Sequence, residues 1–257
     1  MRFLLFLFVL FHSCFSAITA LAKEVKLVTG FDYAPYASPN SPSGGVITEI
    51  VTTVFSEMGY RVNLGYYPWN RALKRVDRLN SDATFPFTYT VDRAAKFLYS
   101  DPIHHIKLSV FQKSGSENNY SKPDDLIGLT GCEPLGYKTE VELVGLIEAK
   151  KINRFRAESV EDCLQGVASG RADFVVLSPS VAWAAANKLW KDKAKDIISE
   201  ARVPLKTSTE HLIISKKHPN GQGLITEFNA TFLRLKAKGV VEGIWTRHLG
   251  KDAYPLM

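Results

Sequence analysis

The sequence predicts an α/β protein of two lobes, each a mostly parallel sheet flanked by helices. Three observations carry that prediction. Short apolar runs of strand character alternate with stretches of helical periodicity from residue 24 onward, and the same alternation starts afresh at 107. Gly, Pro, Asn and Ser cluster at the joins between them. The hydrophobic content of 46% in 257 residues is enough for the core of one large domain or of two lobes.

EVKLVTGF (24–31) reads as a strand ending at a glycine, followed by a loop rich in Pro, Ser and Gly at 32–45. Residues 46–60 carry Ile47, Ile50, Val51, Val54, Phe55 and Met58 at helical spacing and stop near Gly59. RVNLGYY (61–67) is a second strand. Pro68 opens a helix over 68–81 with Leu73, Val76 and Leu79 on one side, and DATFPF (82–87) is a third strand. After TYTVDR, the segment AAKFLYSDP reads as one helical turn closing at a serine and a proline.

The second series begins with the strand KLSVFQK (107–113), a polar connection, and IGLTGCEP as a strand with its loop. A helix over 138–149 and a strand over 152–157 follow. Residues 159–170 form a helix with Ser159 as N-cap, acids in its first turn and Gly170 as its stop. ADFVVLS (172–178) is a strand and 179–190 a helix. The tail gives a strand over 207–219, a long amphipathic helix over 221–239 and a short one over 240–250.

Residues 1–22 have the mechanics of a secretory signal peptide: Arg2, the apolar run FLLFLFVLF and an Ala20-Leu21-Ala22 cleavage site. Lipidation at Cys14 is the alternative, disfavoured by the bulky His12 just upstream. No later stretch approaches the ~20 apolar residues of a membrane span. The expected product is a soluble, exported protein. Its net charge of +6 falls by one with Arg2, and its basic residues are dispersed. That balance suits anionic ligands and argues against nucleic acid, for which there is no basic stripe interleaved with aromatics. Cys132 and Cys163 remain, an even pair suited to a disulfide in an oxidising compartment, with two buried free thiols as the alternative. His104-His105 cannot grip one metal from a strand, because neighbours there point to opposite faces; one buried and one exposed ring is the expectation.

The ordered series TGFDYAPY, GGVITEI, YYPWNRAL, DATFPFTYTVDR, FLYSDP, SGRADFVVL, LIISKKHP and LKAKGVVEGIWTRHLG resembles the periplasmic solute-binding proteins of amino-acid-type ABC transporters, the bacterial extracellular solute-binding protein family 3. The likeness spans nearly all of the chain after the leader. It implies the two-lobed periplasmic-binding-protein fold, with KLSVF (107–111) and EHLII (210–214) as hinge strands and ligand held between the lobes. The implied division is 23–106 for the first part of lobe 1, 107–207 for lobe 2 and 208–257 for the return to lobe 1. It implies a monomer in the periplasm that needs no cofactor and hands a small, carboxylate-bearing ligand to an ABC permease, or reports it to a sensor kinase.

The same resemblance implies site residues. Arg93 matches the arginine that clamps an α-carboxylate in relatives, a task for which a planar guanidinium is suited. As a plain surface residue it would instead pair with Asp92 or Asp101. Thr88 matches a hydroxyl of that segment and Tyr33 a ring that covers the ligand. Trp69 and Tyr137 are further candidate walls, with packing under a loop as the bland alternative. Ser178 stands where amino-acid binders commonly carry an aspartate for the ligand's ammonium. Burying an ammonium without an anion costs several kcal/mol. Glu49, Asp32 or Glu133 must then supply the charge, or the ligand is another kind of anion. The lobe reading also puts Cys132 and Cys163 on one edge of lobe 2, which makes a disulfide the expectation. An enzyme is the rival class, since some relatives carry out dehydrations. No G-x-S-x-G or H-E-x-x-H occurs, and a pair of carboxylates beside Arg93 would be its mark.

Overall fold

A computed structural model describes residues 23–116 and 120–250. The leader and Cys14 lie outside the described residues. The first series folds as β1 (Lys23–Thr29), α1 (Val46–Glu57), β2 (Tyr60–Tyr66), α2 (Trp69–Asp77) and β3 (Ala83–Thr88). Then come α3 (Val91–Ala94), β4 (Phe97–Tyr99) and β5 (His104–Lys113). The second series is β6 (Thr130–Pro134), α4 (Val141–Glu148), β7 (Asn153–Ala157), α5 (Val160–Ala168), β8 (Phe174–Leu177), α6 (Pro179–Trp190) and α7 (Ala194–Ile197). The chain ends with β9 (Ile198–Ser215), α8 (Gly221–Ala237) and α9 (Val240–Leu249).

The strands form one curled sheet in the order β2-β1-β3-β9-β5-β8-β6-β7, with β4 also on β9. At one end β1 pairs in parallel with β2 and β3; at the other β6 pairs in parallel with β7 and β8. Between them β5 and β9 run antiparallel from His104↔Glu210 to Lys113↔Ile198. Two lobes result, joined through these two strands. Their register slips beside Ser109, which faces Pro204. A proline has no N–H to give to a ladder, so the slip falls where the ladder is weakest.

Local chemistry explains the elements. Ser159 accepts from the Asp162 amide to start α5, and Thr90 accepts from the Arg93 amide to start α3. Cys132 on β6 and Cys163 on α5 are joined by a disulfide, with Cα atoms 5.5 Å apart. Closing that loop stabilises by about 3–4 kcal/mol in the chain-entropy account.

Two expectations change. FLYSDP is not helical: Phe97, Leu98 and Tyr99 form β4 and pair with Ser215, Ile214 and Ile213. Three residues are too few to show a period, and burial of Phe97 on the sheet decides the outcome. The tail strand, expected over 207–219, starts instead at Ile198, directly after α7, and ends at Ser215. Its alternation is masked by charges and by Pro204. Among the described residues no helix is long and apolar enough to cross a membrane. His104 is buried and His105 exposed.

Candidate functional site

The loops after β1, β3, β6 and β8 leave the carboxyl ends of their strands towards one another, the place where open α/β sheets take ligands. They enclose a cavity of about 120 Å³. Tyr33, Trp69, Thr88, Arg93, Tyr137 and Ser178 all line it, although they are spread over some 145 residues of chain.

Arg93 sits in the last turn of α3, half-buried. Its Nη1 donates to the Thr88 carbonyl at 3.1 Å and to Thr88 Oγ1 at 3.3 Å, and its guanidinium lies 4.9 Å from the Phe87 ring centroid. Asp92 is paired with Lys138 instead, at 3.1 Å, and Arg93 has no carboxylate in ion-pair contact among the described residues. Burial lowers the Arg93 pKa from its ordinary value; a guanidinium stays charged at neutral pH all the same. Because the Thr88 hydroxyl accepts from Arg93, its own proton is free to be donated.

Three rings line the same cavity as this cation. The Tyr33 centroid is 5.7 Å from Trp69 and 6.2 Å from Tyr137, and Trp69 is 6.3 Å from Tyr137, all edge to face. Each ring comes from a different loop or helix start. Trp69 is held by donation from its Nε1 to Asp32 Oδ1 at 2.8 Å. Burial raises the Asp32 carboxyl above its ordinary pKa, and the Trp69 bond offsets part of that. Gly136 lets Tyr137 approach: it has φ +88°, and a Cβ there would lie 2.7 Å from Trp69 Cβ. The Tyr137 hydroxyl is buried with no hydrogen-bond partner among the described residues.

The far wall comes from the second lobe. Ser178 is buried at the start of α6, and Tyr36 of the loop after β1 stands beside it and Ser180. Of the acids considered for an ammonium, Glu49 is bound by Arg247 and His248 of α9 and does not line the cavity. Asp32 is occupied by Trp69. Glu133 lines the cavity, with Arg156 at 3.1 Å and Thr139 as partners.

Two acids escaped the sequence reading. Glu210 is buried, accepts from the Tyr33 hydroxyl at 2.7 Å and contacts His104 Nδ1 at 2.8 Å. A titratable pair, Glu210-His211, at the head of an apolar strand was its only signal. Glu140 pairs with Lys206 at 2.8 Å, and burial raises its carboxyl above the ordinary range. Nothing in its local sequence separates it from a solvent-facing helix residue.

The model of the bacterial extracellular solute-binding proteins, family 3, matches residues 25–251. No curated protein matches the sequence. Solved structures share the fold. The amino-acid ABC transporter substrate-binding protein AbpA from Streptococcus pneumoniae, bound to L-arginine, aligns at TM-score 0.72 and 15% identity over 90% of this chain and 97% of its own. A histidine kinase sensor domain with similarity to periplasmic binding proteins aligns at 0.74 and 16%, over 88% and 96%. The ancestral amino-acid-binding protein AncCDT-1, a precursor of cyclohexadienyl dehydratase, aligns at 0.70 and 20%, over 87% and 94%.

Proposed function

The chain belongs to the bacterial extracellular solute-binding proteins of family 3, and on that premise we propose that it captures a small carboxylate-bearing ligand between its lobes. One observation carries this reading. Arg93 is a half-buried cation, braced by Thr88 and Phe87, that lines an aromatic-walled cavity and has no ion-paired carboxylate among the described residues. A ligand carboxylate supplies that anion through charge-assisted hydrogen bonds, each contributing roughly 1.5–3 kcal/mol. Thr88 adds a hydroxyl donor. Tyr33, Trp69 and Tyr137 cover the bound group and exclude water, and Ser178 meets it from the second lobe.

The lobes in this reading are 23–106 with 208–257, and 107–207, hinged on β5 and β9. Ligand favours closure by touching both lobes at once, since it shifts the equilibrium only by its differential affinity. The closed form would be exported, act as a monomer, and deliver its ligand to an ABC permease. If an α-ammonium is present, Glu210 is the acid placed to receive it, because a carboxylate has acceptor sites beyond those used by Tyr33 and His104.

A thermal-shift and calorimetric screen of carboxylates and amino acids tests this. Binding that drops about 10- to 100-fold in Arg93→Ala, with melting temperature nearly unchanged, supports it. Binding indifferent to Arg93 refutes the clamp. A second reading, a lyase on the same fold, is favoured by Glu140, whose raised pKa suits a general acid in the cavity that also holds Arg93. Turnover of a bound carboxylate followed by NMR would replace the receptor reading with that one.

A further inference from the structure

Behind the three rings the cavity continues into the second lobe, and its lining changes character. It runs between the β5–β8–β6 sheet and α4, against Leu108, Val176, Phe174, Leu143 and Ile147. Val176 shows that this space is real. It sits on β8, which is flanked on both sides by β5 and β6. A side chain there, under a covering helix, is expected to be fully buried, as its neighbour Val175 on the opposite face is at 0% exposure. Val176 is only partly buried, because it faces the cavity and not a packed helix.

Gly131, on β6, contributes to the same wall. A Cβ at that position would lie 2.6 Å from the Phe174 ring, so the glycine makes room for the ring against β6. Electrostatics point the same way. The acids that line the cavity each have partners already: Glu133 with Arg156, Glu140 with Lys206, Glu210 with His104 and Tyr33. Of the basic groups that line it, Lys138 is paired with Asp92 and Arg154 lies 3.9 Å from Glu133, whereas Arg93 has no ion pair among the described residues. A ligand with a second charge at its far end would bring that charge against Phe174 and Leu143 at the cost of an unpaired buried ion.

We infer that the ligand is a carboxylate with an uncharged, apolar body, branched-aliphatic or aromatic, which lies in the channel under α4 while its head group rests on Arg93. This rests on the carboxylate reading given above. It predicts a preference for apolar over charged amino acids or acids of equal length.

The test is calorimetry on residues 23–257 with acetate, pentanoate, 3-phenylpropionate, L-leucine and L-phenylalanine, against L-arginine, L-glutamate and uncharged 3-phenylpropanamide. Affinity is expected to rise about fourfold for each methylene buried. Val176→Phe fills the channel from the sheet, and Ile147→Trp narrows it from α4, so the result does not depend on one variant folding. Either is expected to weaken 3-phenylpropionate at least about tenfold while leaving acetate unchanged. Flat chain-length dependence, or tighter binding of L-arginine or L-glutamate that still requires Arg93, overturns the inference and leaves the carboxylate reading standing. Equal binding of 3-phenylpropanamide and 3-phenylpropionate keeps the apolar channel and sinks the clamp. Silence of every compound overturns both.

Discussion

The two faces of the β5–β8–β6 sheet are built from alternate residues of the same strands, yet they end differently. One face, with Phe111, Cys132 and Val175, is sealed by α5 and α6, and the disulfide at Cys163 fastens the cover. The other face, with Val110 and Phe174, lies under α4, which buries only Leu143 among its eight residues. Strand alternation makes both faces apolar. The covering helix decides which becomes packed core and which keeps a cavity. Helix α5 buries Val160, Cys163, Leu164, Gly166 and Val167, so it fits closely enough to leave no room.

Truncation on each side measures that difference most directly. Leu164→Ala on the sealed face should cost about 4 kcal/mol in urea unfolding, because the site cannot collapse. Leu143→Ala, beside space that already exists, should cost about 2 kcal/mol. Equal losses would mean that α4 packs as tightly as α5 and that the comparison fails. Replacing both Cys132 and Cys163 by Ala should remove about 3 kcal/mol in the same unfolding measurement.

Arg93→Ala acts on the open side alone. It should weaken carboxylate binding by about 2 kcal/mol in calorimetry and lower the melting temperature little. A large drop in melting temperature would make Arg93 a structural residue. The smallest effect concerns Glu140, at the mouth of the open face. Burial raises its pKa in the folded state. Its contribution to stability is therefore fully present below the ordinary carboxylate pKa and lost as pH rises through the folded value. Stability measured from about pH 4 to pH 7 should fall less steeply in Glu140→Gln than in the native chain. Leu164→Ala should keep the native slope.

Much of this was legible beforehand. Each helix with a strong period, a cap or a glycine stop, such as 159–170, falls where its pattern places it, and Cys132 and Cys163 meet as their positions on one edge of the lobe suggest. FLY was not, because three residues carry no period and only pairing with β9 makes them a strand. Glu210 was not, because an acid in a strand reads as solvent-facing until Tyr33 and His104 are brought to it from 177 and 106 residues away.

By itself the sequence determined the order of strands and helices, the two series that make two lobes, and the chemistry available at each loop. These follow from periodicity, capping and turn residues, which act within a few positions of the chain. Tertiary structure alone decided that the rings of Tyr33, Trp69 and Tyr137 meet in the cavity that Arg93 also lines, that three cavity acids are already partnered, and that α4 stands off its sheet. Such facts depend on distances between elements, and no local propensity encodes how closely a helix settles onto a sheet until the side chains of both compete for the same space.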